Sequence, residues 1–152
     1  MARKVHLIAG LLATLTIATF FPSTVLVELL GEHEAVATVK SLIVLPGLFI
    51  LVPTIAATGG TGSYLSKSRQ GRLVDAKKKR IPFMAVNGLL VLIPCAIVLN
   101  RWAAAAQFDT AFYVVQAIEL LAGAVNLTLM GLNTRDGMKM SGRFHANPAA
   151  AR

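Results

Sequence analysis

The chain has 152 residues, of which 55% are hydrophobic and 14% are charged, and its formal net charge is +8. The charged fraction lies well below the roughly 25% that is usual for soluble domains. Because the excess apolar residues stand in long blocks, the composition excludes a soluble enzyme, a disordered tail and a secreted disulfide scaffold. It predicts an all-α integral membrane protein.

Four apolar segments are long enough to cross a bilayer as helices. A helix rises about 1.5 Å per residue, so about 20 apolar residues cover a hydrocarbon core of about 30 Å. The four segments run over residues 5–30, 36–57, 82–99 and 110–132. We therefore predict four transmembrane helices in an up-down bundle, which form one domain over residues 1–140, followed by a tail over residues 141–152.

The basic residues lie almost entirely on one side of this four-span arrangement. Lys40 and Arg101 are the only lysine or arginine residues on the opposite side. The positive-inside rule then places both termini and the loop over residues 67–80 in the cytoplasm. The sequence thus predicts a multi-pass protein, in the cytoplasmic membrane if the source is bacterial. Anionic lipid is the expected partner of the 67–80 loop, because each basic residue near a membrane surface attracts it by about 1 kcal/mol.

Two ionisable residues lie inside the predicted spans. Lys40 is about one turn deep in the second span, and Glu119 is two to three turns deep in the fourth, just after Gln116. Each such group costs about 2.5–3.5 kcal/mol on insertion scales, which favours a function for it. Glu119 is therefore a candidate proton- or cation-binding group, and Lys40 either pairs with it or extends outward to the interface. The alternative is a purely structural pair that includes Gln116.

A second set of polar residues is predicted in the cytoplasmic half of the bundle. This set comprises His6, Met84, Asn87, Asn126 and Met130. An imidazole beside amides and thioethers can ligate haem iron, with a methionine or a second histidine opposite. His145 of the tail, or His6 of a second protomer, would provide that second histidine. The alternative is that His6 only faces lipid headgroups.

These features leave three functional hypotheses open. The first is a small membrane protein that binds a redox cofactor, haem b as the first choice, in its cytoplasmic half and shares it across a homodimer. The second is a non-catalytic accessory subunit of a larger membrane complex, and the third is a transporter of a small solute or an ion that uses Glu119. The sequence contains no metal-ligand spacing such as H-E-x-x-H and no nucleophile beside a base, so no motif in it indicates an enzyme. Since the basic residues flank spans, they do not predict a nucleic-acid partner.

The glycine-rich stretch over residues 59–63 does not have the spacing of a phosphate-binding loop. Lys67 follows Ser66, where the pattern G-x-x-x-x-G-K-[ST] requires a glycine. We expect this stretch to be a flexible exit from the second span.

Four prolines lie within the first three spans, namely Pro22, Pro46, Pro53 and Pro94. Each removes a backbone donor and frees a carbonyl, which a neighbouring helix, a hydroxyl group or water must satisfy. The prolines therefore predict a kinked bundle with an internal cavity. The alternative is that they have no special role, because proline is common in membrane helices.

Overall fold

The computed structural model describes residues 1–67 and 71–140, and its regular elements there are all helical. In chain order they are α1 (Ala2–Leu30), α2 (His33–Leu42), α3 (Phe49–Ser66), α4 (Arg72–Asn87), α5 (Ile93–Ala104) and α6 (Thr110–Met140). Two π-helical segments, Ile43–Leu48 and Gly88–Leu92, join α2 to α3 and α4 to α5. The predicted tail over residues 141–152, which includes His145, lies outside the described residues.

In the described part of the chain, four helical rods are long and apolar enough to span a membrane, which confirms that part of the prediction. The rods are Ala2–Leu30, His33–Ser66, Arg72–Ala104 and Thr110–Lys139. The first rod has 29 residues. It is therefore about 44 Å long at 1.5 Å per residue, and it exceeds a hydrocarbon core of about 30 Å. The rods extend beyond the predicted apolar segments because polar and basic turns continue their ends.

Large apolar side chains cover the outside of the rods. Among those more than half exposed are Leu7, Leu11, Phe49, Leu90 and Leu121. In water, contiguous apolar surface of this kind marks an interaction site or drives aggregation. In a bilayer it is the ordinary outer surface of a helix, because lipid tails are as apolar as leucine.

Helix α1 packs against α3, and the two helices run antiparallel. Near one end the imidazole of His6 is hydrogen-bonded to Thr61, and farther along the ring of Phe20 packs against Gly47. The two-residue connection at 31–32 keeps the end of α1 beside the start of α2, which α1 also contacts. The contact at Gly47 needs glycine, since a Cβ there would overlap the Phe20 ring and come within 2.9 Å of the Leu42 carbonyl oxygen.

The remaining helix contacts involve α5 and α6. Helix α5 packs against α2, and α6 packs against α4 and α5 and also contacts α1. The buried core between α2, α5 and α6 comprises Val36, Leu99, Ala103 and Phe112. A carboxylate oxygen of Asp109 accepts a hydrogen bond of 3.0 Å from the backbone N–H of Phe112, which caps the first turn of α6.

The two ends of the bundle differ in character. We name the end with the connections at 31–32 and 105–109 the short-loop end. We name the opposite end, which carries Met1, Arg72 and Lys139, the basic end. These names describe the chain and not its orientation in a membrane.

Two sequence expectations about the segment between the second and third spans were wrong. The stretch over residues 59–63 is helical and continues α3 to Ser66. At Gly62 the low helix propensity of glycine is offset by packing against the imidazole of His6, whereas a Cβ at Gly59 or Gly60 would meet nothing within 4 Å. The predicted 67–80 loop is also mostly helical, because α4 begins at Arg72 and carries the basic run on its first turns.

The helix interruption in the second rod lies at one of the four prolines. Leu45 has φ −134° and ψ 114°, which is extended backbone, and Pro46 follows it. Proline has no N–H and disfavours helical backbone at the residue before it. Pro22 and Pro53 lie within the continuous helices α1 and α3. Pro94 lies in the first turn of α5, directly after the π-helical segment Gly88–Leu92, so the helical rod continues across it.

Candidate functional site

Lys40 of α2 and Glu119 of α6 form an ion pair between apolar helices. The Lys40 Nζ lies 2.5 Å from Glu119 Oε2, and the lysine side chain is fully buried while that of Glu119 is 12% exposed. Gln116 donates a second hydrogen bond of 3.2 Å from its Nε2 to the same oxygen. The sequence left two alternatives for Lys40, pairing with Glu119 or extension outward to the interface. In the structure Lys40 pairs with Glu119. Two donors therefore converge on one carboxylate oxygen.

Glu28 of α1 lies beside this pair, and the sequence analysis did not single it out. The two-residue connection at 31–32 brings the last turn of α1, which carries Glu28, beside α2, which carries Lys40. Its carboxylate interacts electrostatically with Lys40, with Glu119 and with His33 at the start of α2. We name Glu28, Lys40, Gln116 and Glu119 the charged cluster. The signal that could have found Glu28 is the two-residue connection at 31–32, which fixes how the first two spans align.

Two oxygen atoms of the charged cluster are buried and have no hydrogen-bond partner within residues 1–67 and 71–140. They are Oε1 of Glu28 and Oε1 of Gln116, whose residue is only 3% exposed. Buried polar groups are nearly always hydrogen-bonded, and an orphaned acceptor costs about 1–3 kcal/mol. The cluster also has two carboxylates and one ammonium, which leaves one negative charge in excess when both carboxylates are ionised. The orphaned acceptors and the excess charge both favour binding of one further positive, hydrogen-donating group.

An apolar layer separates the charged cluster from the short-loop end. Val36 precedes Lys40 by one helical turn, and Phe112 precedes Gln116 by one turn, so both lie nearer that end than the cluster. Leu99 of α5 packs with them, and Leu99 and Phe112 are fully buried. This layer removes the ion pair from water at the short-loop end, which strengthens its electrostatic interactions.

An amide pair joins α4 to α6 in the other half of the bundle. Asn87 donates from Nδ2 to the carbonyl of Ala122 at 3.0 Å and to Asn126 Oδ1 at 2.9 Å. Asn126, which is buried, in turn donates to the backbone carbonyl of Met84 at 3.4 Å. The structure thus brings together three residues of the predicted cofactor set, and their polar groups satisfy one another. Met130 is half-buried one turn farther along α6.

His6, the predicted haem ligand, is placed with a different helix pair. Its Nδ1 is 3.1 Å from the carbonyl oxygen of Thr58 and 3.1 Å from the hydroxyl oxygen of Thr61, both on α3. Over residues 1–67 and 71–140, no group of three or more His, Cys, Asp or Glu side chains is placed to hold a metal ion. The described contacts do not assemble His6 with Met84 and Asn87 into a haem site. Haem b binding therefore stays a prediction of the sequence.

A second buried carboxylate, Asp136 of α6, lies near the basic end. Its Oδ2 accepts a hydrogen bond of 2.7 Å from Arg80 of α4, and its Oδ1 lies 3.3 Å from Arg135 Nη2. The side chain of Asp136 is only 2% exposed. It engages two of the basic residues and leaves the neighbouring Lys78 and Lys79 exposed. The sequence analysis missed Asp136, although it is the lone acid of the final basic turns.

Of the polar arrangements described above, the charged cluster is the strongest candidate for a functional site. Comparison of the chain with protein-family models, with curated proteins and with solved structures finds no match. The site is therefore interpreted from its own residues. The amide pair has no ionisable group, and His6 contacts only a carbonyl and a hydroxyl oxygen of α3, whereas the charged cluster places two carboxylates and an ammonium between apolar helices.

Proposed function

We propose that this chain is an integral membrane protein with four spans that transports a small ion through the charged cluster. The observation that carries this proposal is the buried Lys40–Glu119 ion pair beside a second carboxylate, Glu28, within helices that are apolar enough to span a bilayer. Ionisable groups at such depth are expensive to insert and mark ion pathways, proton relays or ligand counter-ions. A purely structural link between α2 and α6 would not need the extra carboxylate.

Close packing between the rods supports a small ion over a larger solute. The ring of Phe21 on α1 packs against Gly123 on α6, where a Cβ would come within 3.2 Å of it. Phe20 fills the space beside Gly47 in the same way. These contacts bring α1 close to the second and fourth rods at two levels, which favours a small ion over a larger solute.

The charge distribution supports an orientation with both termini in the cytoplasm. The basic end carries the exposed Lys78 and Lys79 together with Arg72, whereas Glu32 and Glu34 are exposed at the short-loop end. Under the positive-inside rule the basic end faces the cytoplasm. The charged cluster then lies in the outer half of the membrane, and the exposed lysines lie where they attract anionic lipid headgroups.

An ion-flux assay with the purified protein in sealed lipid vesicles tests the proposal. Vesicles that contain the protein are given an imposed gradient of protons, sodium or potassium, and the flux of each ion is compared with that of protein-free vesicles. We expect one of these ions to move faster through the protein-containing vesicles, and Glu34→Gln, an exposed change, to leave that rate unchanged. Equal flux with and without protein for all three ions would overturn the proposal and favour the accessory-subunit alternative.

A further inference from the structure

The arrangement of the charged cluster also indicates which ion it binds. We infer that the ion is a proton and that Glu28 carries it while Glu119 stays ionised and paired with Lys40. This inference rests on the proposed function only in naming the transported ion, since binding of a proton at Glu28 is measurable without transport. It assigns a protonation site to a residue that the sequence pattern alone places at the edge of a span.

The hydrogen bonds distinguish Glu28 from Glu119 as the carrier. Glu119 Oε2 accepts hydrogen bonds from the Lys40 ammonium and from the Gln116 amide, so this oxygen atom is already paired with two donors. Glu28 Oε1 accepts from no donor in the described part of the chain and is buried. A proton on Glu28 turns this orphaned acceptor into an O–H donor and leaves a charge-neutral cluster. The same proton on Glu119 would weaken the ion pair.

A proton fits the cluster better than an alkali cation does. A metal cation would need several oxygen ligands at once, whereas a proton needs only one oxygen atom. The Lys40 ammonium already occupies Glu119 Oε2 at 2.5 Å and would repel a second cation held beside it. The side-chain oxygen of Gln116, Oε1, is buried and has no hydrogen-bond partner among the described residues, so it is free to accept from an O–H group.

The charged and titratable groups of the described residues that interact electrostatically with Glu28 belong to two neighbouring helices. Helix α2 contributes Lys40 and His33, and α6 contributes Glu119. His33 is exposed at the short-loop end and its ring stacks on Phe108 with a centroid separation of 4.0 Å. Because Glu28 lies in the last turn of α1, it is the cluster carboxylate with the shortest path to that end.

Infrared spectroscopy of the protein in lipid vesicles at neutral pH tests this inference. We expect the wild type to show the C=O stretching band of a protonated carboxylic acid, shifted on exchange into D₂O. Glu28→Gln should lose this band, while Glu28→Asp should retain a carboxylic acid band. Glu32→Gln and Glu34→Gln, which change exposed carboxylates, serve as matched controls and should keep it. Monodisperse elution and a helical circular-dichroism spectrum establish that each variant is folded.

Several outcomes would overturn the inference. They are no such band in the wild type, a band that survives Glu28→Gln, a band lost only in Glu119→Gln, or a band abolished by adding sodium or potassium. The result also separates the two proposals. A band that depends on Glu28 together with no ion flux leaves the protonation site standing and overturns transport. Ion flux together with a band that survives Glu28→Gln supports transport and overturns Glu28 as the protonation site.

Discussion

The ammonium of Lys40 lies 2.5 Å from the carboxylate of Glu119, although 79 residues separate them in the chain. The contact joins α2 to α6, which are not consecutive in sequence, at a level where three rods contribute polar groups. Gln116 adds a hydrogen bond to the same oxygen, and Glu28 adds a second carboxylate beside the pair. Because Lys40 is fully buried, its charge is balanced by side chains and not by water.

The ion pair should show the asymmetry of a buried salt bridge. Removing one partner leaves the other charge uncompensated and costs about 3–5 kcal/mol, whereas removing both partners costs much less. We therefore expect Glu119→Gln to destabilise the protein more than the double change Lys40→Met with Glu119→Gln. Denaturant unfolding in detergent micelles measures the difference. Equal losses in the two variants would mean that Lys40 finds another partner or reaches water when Glu119 is neutral.

Gly47 and Gly59 should respond in opposite directions to the same substitution. A methyl group at Gly47 meets the Phe20 ring and the Leu42 carbonyl, whereas one at Gly59 meets nothing within 4 Å. We expect Gly47→Ala to lower the free energy of unfolding by about 1–3 kcal/mol through overpacking. Gly59→Ala should raise it by up to about 1 kcal/mol, because alanine favours helix. A thermal melt of both variants in one detergent checks this, and a neutral Gly47→Ala would contradict the close α1–α3 register.

Asp136 should contribute more to stability than Asp75, the other aspartate near the basic end. Asp136 is buried and accepts hydrogen bonds from Arg80 and Arg135, whereas Asp75 is exposed. Hydrogen bonds to charged groups contribute about 1.5–3 kcal/mol. Asp136→Ala should therefore destabilise the protein by about that amount, and Asp75→Ala by under about 0.5 kcal/mol, as is usual for surface changes. Similar effects of the two changes would indicate that Arg80 and Arg135 are solvated in the membrane-bound protein.

Reporter fusions test the proposed orientation. A reporter that is active only in the cytoplasm is fused after Arg152 and, in a second fusion, inserted next to Gly71. Both should be active, and a third insertion at Gln107, in the connection at the short-loop end, should be inactive. Activity of the Gln107 fusion with silence of the other two would invert the topology and place the charged cluster in the inner half.

The sequence was sufficient for the number of spans and insufficient for their contacts. Length and hydropathy predict the rods because a bilayer imposes a minimum apolar length. Lys40 and Glu119 could be selected as candidates because each interrupts an apolar span. Their pairing could not be predicted, since it depends on the rotation of α2 and α6 about their axes, and these rotations follow from packing across the whole bundle.

Sequence analysis missed two buried acidic residues for a different reason. Glu28 stands in the last turn of its span, so it reads as an interfacial residue until the register with the second rod is known. Asp136 stands among basic residues, and its burial depends on where α4 ends relative to α6. The helical stretch over residues 59–63 was misjudged because local glycine propensity was weighed without the contact to His6.

The measurement that tests ion transport most directly is proton flux through vesicles that contain the double variant Lys40→Met with Glu119→Gln. This variant lacks both charges of the pair and should recover most of the stability that Glu119→Gln alone loses, so a loss of flux cannot be attributed to unfolding. We expect it to insert, to remain monodisperse and to conduct protons no faster than protein-free vesicles. Flux at the wild-type rate from this variant would contradict a role of the Lys40–Glu119 pair in transport and leave it as a structural link between α2 and α6.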